Sequence, residues 1–171
     1  MKKLLIIILF LFISQSSLIA DIPHFLNFKL ILNQSDAGKK AQTSLKNKLE
    51  NGIKDLKNKE KQILEEEKKL IQQKKIISSD EYKKKISSLR KKVTSLQKER
   101  NTLLQTVAKQ RSKAKNELLK NLNPIVKDYM SEKNIKMVLD KKVVLLADDK
   151  LDITNDIMAI LNKKLKSINL N

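Results

Sequence analysis

The 171-residue chain carries 37 Lys and Arg against 19 Asp and Glu, a formal net charge of +18, and it contains no cysteine. Without a thiol there can be no disulfide, no thiolate metal site and no lipid attached through sulfur. Aromatic residues make up only 4% of the chain, too few for a thick globular core. The charge implies either an anionic partner or lysines that merely solvate long exposed helices.

Lys2 and Lys3 precede an unbroken apolar run from Leu4 to Ile13, and Ser14, Gln15, Ser16 and Ser17 follow it. This is the pattern of an export signal over residues 1–20, with Ala20 as a cleavage position although Leu18 is larger than such sites prefer. An uncleaved anchor is the alternative, but the apolar run ends well short of the roughly 20 residues that span a bilayer. Cleavage would place the mature chain outside the cytoplasm. Removing Lys2 and Lys3 from the 37 basic residues leaves 35 against 19 acidic ones, a net +16.

Residues 21–35 read as a body strand and a junction. Phe25 to Phe28 is the strand-like piece, and Ser35 is placed to cap a helix that begins at Asp36. From there to residue 123 the pattern predicts a helical hairpin arm. Leu49, Leu56, Ile63, Leu70 and Ile77 fall seven apart, which makes a weak seam on a first helix expected to run from Asp36 to Ile77. A stronger heptad follows through Tyr82, Ile86, Leu89, Val93, Leu96, Leu103 and Val107, interrupted only by the polar Arg100 and Gln110. Beyond Ala114 the spacing stutters, which relaxes the supercoil.

Between the two seams, Ser78 and Glu81 have capping-box spacing, so the turn is expected near 78–81. Antiparallel pairing requires facing residues to share a constant sum of residue numbers. Ile77 with Tyr82, Leu70 with Leu89, Ile63 with Leu96 and Leu56 with Leu103 all satisfy it, and Leu49 then faces Gln110. The adjoining layer sets Glu60 against Arg100, a seam ion pair, and the Glu65–Glu67 triplet faces Lys91 and Lys92. Lys68, Lys69, Lys74, Lys75, Lys83, Lys84 and Lys85 make the arm tip basic.

Residues 124–171 read as the rest of the body. Pro124 should kink or restart the second helix, which is expected to end near Lys133 and Asn134. The β-branched runs Ile135–Leu139 and Val143–Leu146, separated by Asp140, Lys141 and Lys142, predict a β-hairpin. Asp152-Ile153-Thr154 then caps a terminal helix with Ile157, Ile160, Leu161 and Leu165 on one face. The fold class is α+β, mostly α: a long antiparallel coiled-coil hairpin on a small β-containing body. So little body area within one chain predicts association through strand edges.

The stretch from Leu32 to Ala41, LNQSDAGKKA, resembles the strand-to-helix junction of the Skp (OmpH-like) family of periplasmic chaperones, commonly written L-x-E-S-P-A-G-K-K-A. Val138-Leu139-Asp140, Val144 to Asp148 and Asp152-Ile153-Thr154 are similar to that family's closing V-L-D, V-L-Y-A-D and D-I-T segments, in the same order. Asp36, Asn27 and Leu146 depart from the family's usual Pro, Asp and Tyr. The resemblance implies a homotrimer whose strands share one body and whose three arms surround a cavity. It implies a periplasmic, ATP-independent holdase that cages unfolded outer-membrane or other envelope proteins, with the basic arm tips attracting clients.

Catalysis and cofactors are not expected. The single histidine, His24, has no neighbouring ligand set, no Gly-rich phosphate loop exists, and consecutive glutamates on a helix point apart. The rival reading is a basic coiled-coil structural protein that binds nucleic acid or an anionic membrane surface, including lipopolysaccharide. Nucleic acid is disfavoured because only Arg90, Arg100 and Arg111 among the 37 basic residues are Arg and few aromatics remain to stack on bases.

Overall fold

The computed structural model describes residues 22–170, so the expected signal segment lies outside the described residues. In chain order the elements are β1 (His24–Leu26), α1 (Phe28–Gln34), α2 (Asp36–Gln73), α3 (Ser79–Glu132), β2 (Val138–Asp140), single-turn 3-10 helices at Lys141–Val143 and Asp149–Leu151, and α4 (Thr154–Lys164). At about 1.5 Å per residue, the 38 residues of α2 and the 54 of α3 are about 57 and 81 Å long. They pair along their lengths into an arm.

Helix boundaries follow side-chain chemistry. Ser35 is extended and its hydroxyl accepts from the Gly38 amide at 3.2 Å, which starts α2. Ser78 does the same for the Glu81 amide at 3.2 Å and starts α3. The first helix stops at Gln73, short of the expected Ile77. The amides of Ile76 and Ile77 both donate to the Gln73 carbonyl, closing a tight turn that leaves Ile77 in the connection.

Three expectations for the body change. Phe28 belongs to a helix: the Asn27 carboxamide accepts from the Leu30 amide at 2.8 Å and nucleates α1, whose seven residues are too few to show a period in sequence. Of the kink or restart expected at Pro124, the restart does not occur: α3 runs through it, with Leu118 and Leu122 before it and Ile125 after it all anchored in one core. The hairpin of Ile135–Leu139 with Val143–Leu146 does not form. Instead β2 pairs in parallel with β1, His24 opposite Val138 and Leu26 opposite Asp140, and Val143 lies in a 3-10 turn. Asn134, with φ of 55°, terminates α3 and sends the chain back toward β1.

The core sits where the end of α3 meets α1, α4 and the strands. Ile31, Leu118, Ile157 and Leu161 are fully buried there, with Leu122, Ile125 and Ile153 beside them. Polar contacts close it across the whole chain length. The Ile153 amide donates to the Phe25 carbonyl at 3.0 Å, the Asn27 amide to Thr154 Oγ1 at 2.8 Å and the Asp36 amide to Asn162 Oδ1 at 2.8 Å. Gly38 lets α1 lie directly on α2: a Cβ there would sit 2.1 Å from the Leu32 carbonyl oxygen.

Candidate functional site

The arm is the feature of the molecule with no counterpart in its core. Leu56 and Leu70 of the seam are buried, as is Val107 beside them, whereas Leu49, Ile63, Ile77, Tyr82, Leu89, Leu96 and Leu103 are half-buried. Two helices alone can cover only one stripe of each other, so partial exposure follows from the architecture. Gly52 has a packing role here. A Cβ on it would approach Leu103 Cδ2 to 2.5 Å, so the glycine lets Leu103 rest on the α2 backbone.

Ion pairs cross the seam at the antiparallel register. Lys59 meets Glu99 at 2.5 Å, Lys92 meets Glu66 at 2.6 Å and Arg100 meets Glu60 at 3.7 Å. The hydrogen bond from Lys59 holds the Glu99 carboxyl below its usual range. All three pairs are close to half-exposed on both partners, where such contacts favour register more than they add stability.

The seven tip lysines are all exposed. Lys85 is tied to Glu81 at 3.3 Å and to the Gln73 carboxamide at 3.2 Å, and Lys74 lies 6.0 Å from the centre of the Tyr82 ring. Lys68, Lys69, Lys75, Lys83 and Lys84 extend into solvent around them. The tip is therefore basic on both sides of the turn.

Large apolar residues outside the seam are the part that the heptad reading passes over. Leu64, Ile71 and Leu104 are half or more exposed, and Val93 of the heptad and Ile53, four beyond the seam residue Leu49, are 51% and 40% exposed. Leu64 and Ile71 follow the seam residues Ile63 and Leu70 by one position, and Leu104 follows Leu103. Apolar residues just beside a heptad seam were the available signal.

On the body a second exposed apolar segment follows β2: Val143 is 67% exposed, Leu145 93% and Leu146 91%. It is anchored at both ends. Asp140 Oδ1 accepts from the Lys142 amide at 3.1 Å, and Lys141 Nζ meets Asp152 Oδ2 at 2.6 Å, 5.3 Å from the centre of the Phe25 ring. Burial pushes the Asp152 carboxyl up, but hydrogen bonds from Lys141 and from Thr154 outweigh it and the net shift is downward. Lys141 is correspondingly raised by its bond to Asp152. Nearby, Tyr129 Oη donates to Asp156 at 2.5 Å, and that bond pushes the phenol up to about 12.

Among the described residues no group of three His, Cys, Asp or Glu is placed to hold a metal, and His24 lies in β1 with Nδ1 buried and without a hydrogen-bond partner. No described helix is long and apolar enough to cross a membrane.

A family described as Outer membrane protein (OmpH-like) has a model that matches residues 24–161. The fold is similar to the crystal structure of an OmpH-like protein from Caulobacter crescentus, with a TM-score of 0.79 and 21% identity over 86% of this chain and 89% of that one. No curated protein matches the chain in sequence.

Proposed function

The chain belongs to the OmpH-like family, and from that premise we propose that it is an ATP-independent holdase chaperone that cages unfolded outer-membrane or other envelope proteins between the arms of a homotrimer. The family is one of chaperones and not of enzymes. The observation that carries the holdase reading is the arm: two helices of 38 and 54 residues cover only one stripe of each other and leave a long basic surface open. Such a surface holds a flexible chain through many weak contacts, each easily exchanged, and needs no chemical step to release it.

The trimer is supported by the segment Val143–Leu146. A sequence rich in β-branched and aliphatic residues has no strand partner among the described residues, and both of its leucines are over nine-tenths exposed. The short β1–β2 pair also leaves strand edges for another protomer to extend. Periplasmic residence agrees with the family and with the signal pattern at residues 1–20.

The test uses a urea-denatured β-barrel membrane protein diluted into buffer without nucleotide. Stoichiometric trimer is expected to suppress its light scattering, and multi-angle scattering of the chaperone alone is expected to give three times the protomer mass. A monomer, or aggregation unaffected by the chain, refutes the reading. The rival, binding to nucleic acid or to an anionic membrane, requires retention on duplex DNA or on anionic vesicles at physiological salt.

A further inference from the structure

The two sides of the arm differ in chemistry. A helix turns about 100° per residue, so positions three beyond a seam residue lie about 60° to one side and positions one beyond it about 100° to the other. On the first side lie Lys59 and Glu66 of α2 with Glu99 and Lys92 of α3, the pairs that join at 2.5 and 2.6 Å. On the second lie Leu64, Ile71 and Leu104, and Ile53 and Val93 lean the same way because each sits four beyond a seam residue.

In the antiparallel register these five do not scatter. Leu104 stands within two residues of Ile53 along the arm, or about 3 Å of axial rise. Val93 stands equally near Leu64, and the half-buried Ile86 equally near Ile71. The result is three apolar rungs on one face. Along the α2 edge of that face runs a lysine row at seven-residue intervals, Lys54, Lys61 and Lys68, followed by Lys75 in the turn, all exposed and none in an ion pair. The α3 edge offers Ser87, Thr94 and Asn101 at the corresponding places, with no charge.

We propose that this face is the docking strip of the arm, and that it takes an unfolded polypeptide segment in which apolar side chains are interspersed with acidic ones. The inference rests on the holdase reading and assigns its working face. Charge complementarity selects the occupant, because an apolar strip with one free row of lysines matches acidic spacers and opposes basic ones. A second copy of the arm fits poorly. Coiled-coil partners need apolar residues about every 3.5 positions, whereas here Lys57 with Glu60 and Arg100 separates the first two rungs, and Glu67 with Arg90 separates the second from the third. The opposite face, where Lys59 pairs with Glu99 and Lys92 with Glu66, is left to solvent.

The test places a photoreactive amino acid at position 64 or 93, and on the opposite face at position 62 or 95, in the full chain. A urea-denatured β-barrel membrane protein is diluted onto each, and two synthetic peptides of equal apolar content, one with acidic and one with basic spacers, are measured for binding. Crosslinks to the denatured protein are expected from 64 and 93 and not from 62 and 95. The acidic peptide is expected to bind better, with salt removing the difference. Leu64→Ser, Val93→Ser and Leu104→Ser combined are expected to weaken capture about tenfold at unchanged helix content, since all three side chains are at least half exposed.

If the unaltered chain holds the denatured protein but both faces crosslink equally, the face assignment falls and the holdase reading stands. If it holds nothing, both fall. Crosslinks from 64 to another copy of the chain without client, or preferential crosslinking to phosphatidylglycerol vesicles, also overturn the proposal.

Discussion

Body and arm use the same aliphatic residues to different depths. Ile31, Ile157 and Leu161 in the body are fully buried, whereas most of the arm seam is half-buried and five large apolar residues on or beside it are 40% exposed or more. The body collects its core from both ends of the chain: β1 lies against β2, and Thr154 caps Asn27 from 127 positions away. The arm collects its contacts as a ladder, each rung meeting only its neighbours. One region should therefore unfold as a unit, and the other should open from its tip.

Truncation of Ile157 to Ala is the strongest way to probe that contrast. With no room for the body to relax, a loss of about 2 to 5 kcal/mol is expected, read as loss of the cooperative thermal transition. If Leu70→Ala in the arm costs the same and abolishes the same transition, the two regions are one cooperative unit. The expected outcome instead is faster amide exchange confined to the arm.

The two glycines sharpen the comparison. Gly38→Ala drives a Cβ to 2.1 Å from a backbone oxygen of α1, which cannot swing aside, and about 3 kcal/mol of destabilisation is expected by chemical denaturation. Gly52→Ala meets only the end of the Leu103 side chain. Its helix propensity gain of about 1 kcal/mol offsets roughly half of a packing loss of about 2 kcal/mol, so a net cost of about 1 kcal/mol is expected.

Titration should also separate the regions. Asp152 is depressed by Lys141 and Thr154, so its contribution is present above its unfolded pKa, near about 4, and is lost as pH falls through the lower folded value. Asp152→Asn is expected to cost about 1 kcal/mol at neutral pH and to flatten the acid limb of the stability curve. Tyr129 acts at the other end: raised to about 12, it contributes below its unfolded pKa of about 10, and the contribution disappears as pH rises through about 12. Tyr129→Phe should remove that alkaline limb. The smallest effect is expected from the arm, where a Glu60 and Arg100 double-mutant cycle should give about 0.5 kcal/mol of coupling, diminished by salt.

The arm was largely legible in advance because its order is periodic. Seven-residue spacing locates the seam, and a constant residue sum fixes the partners, so Glu60 and Arg100 could be placed opposite each other from the sequence. Leu64, Ile71 and Leu104 escaped that reading because they lie beside the period rather than on it, and their exposure depends on how far the partner helix reaches.

The body was less legible, since its pairings are not local. The runs Ile135–Leu139 and Val143–Leu146 have the composition of a hairpin, yet β2 takes β1 as its partner from more than a hundred residues away, and the second run is left uncovered. The sequence by itself determined the helical arm, its register, its caps at Ser35 and Ser78 and its basic tip, because each depends on residues a few positions apart or on a strict repeat. Only the tertiary structure decided the parallel strand pair, the short helix after Asn27, the continuity of α3 through Pro124 and the apolar side of the arm. Those depend on which surfaces meet once the ends of the chain have been brought together.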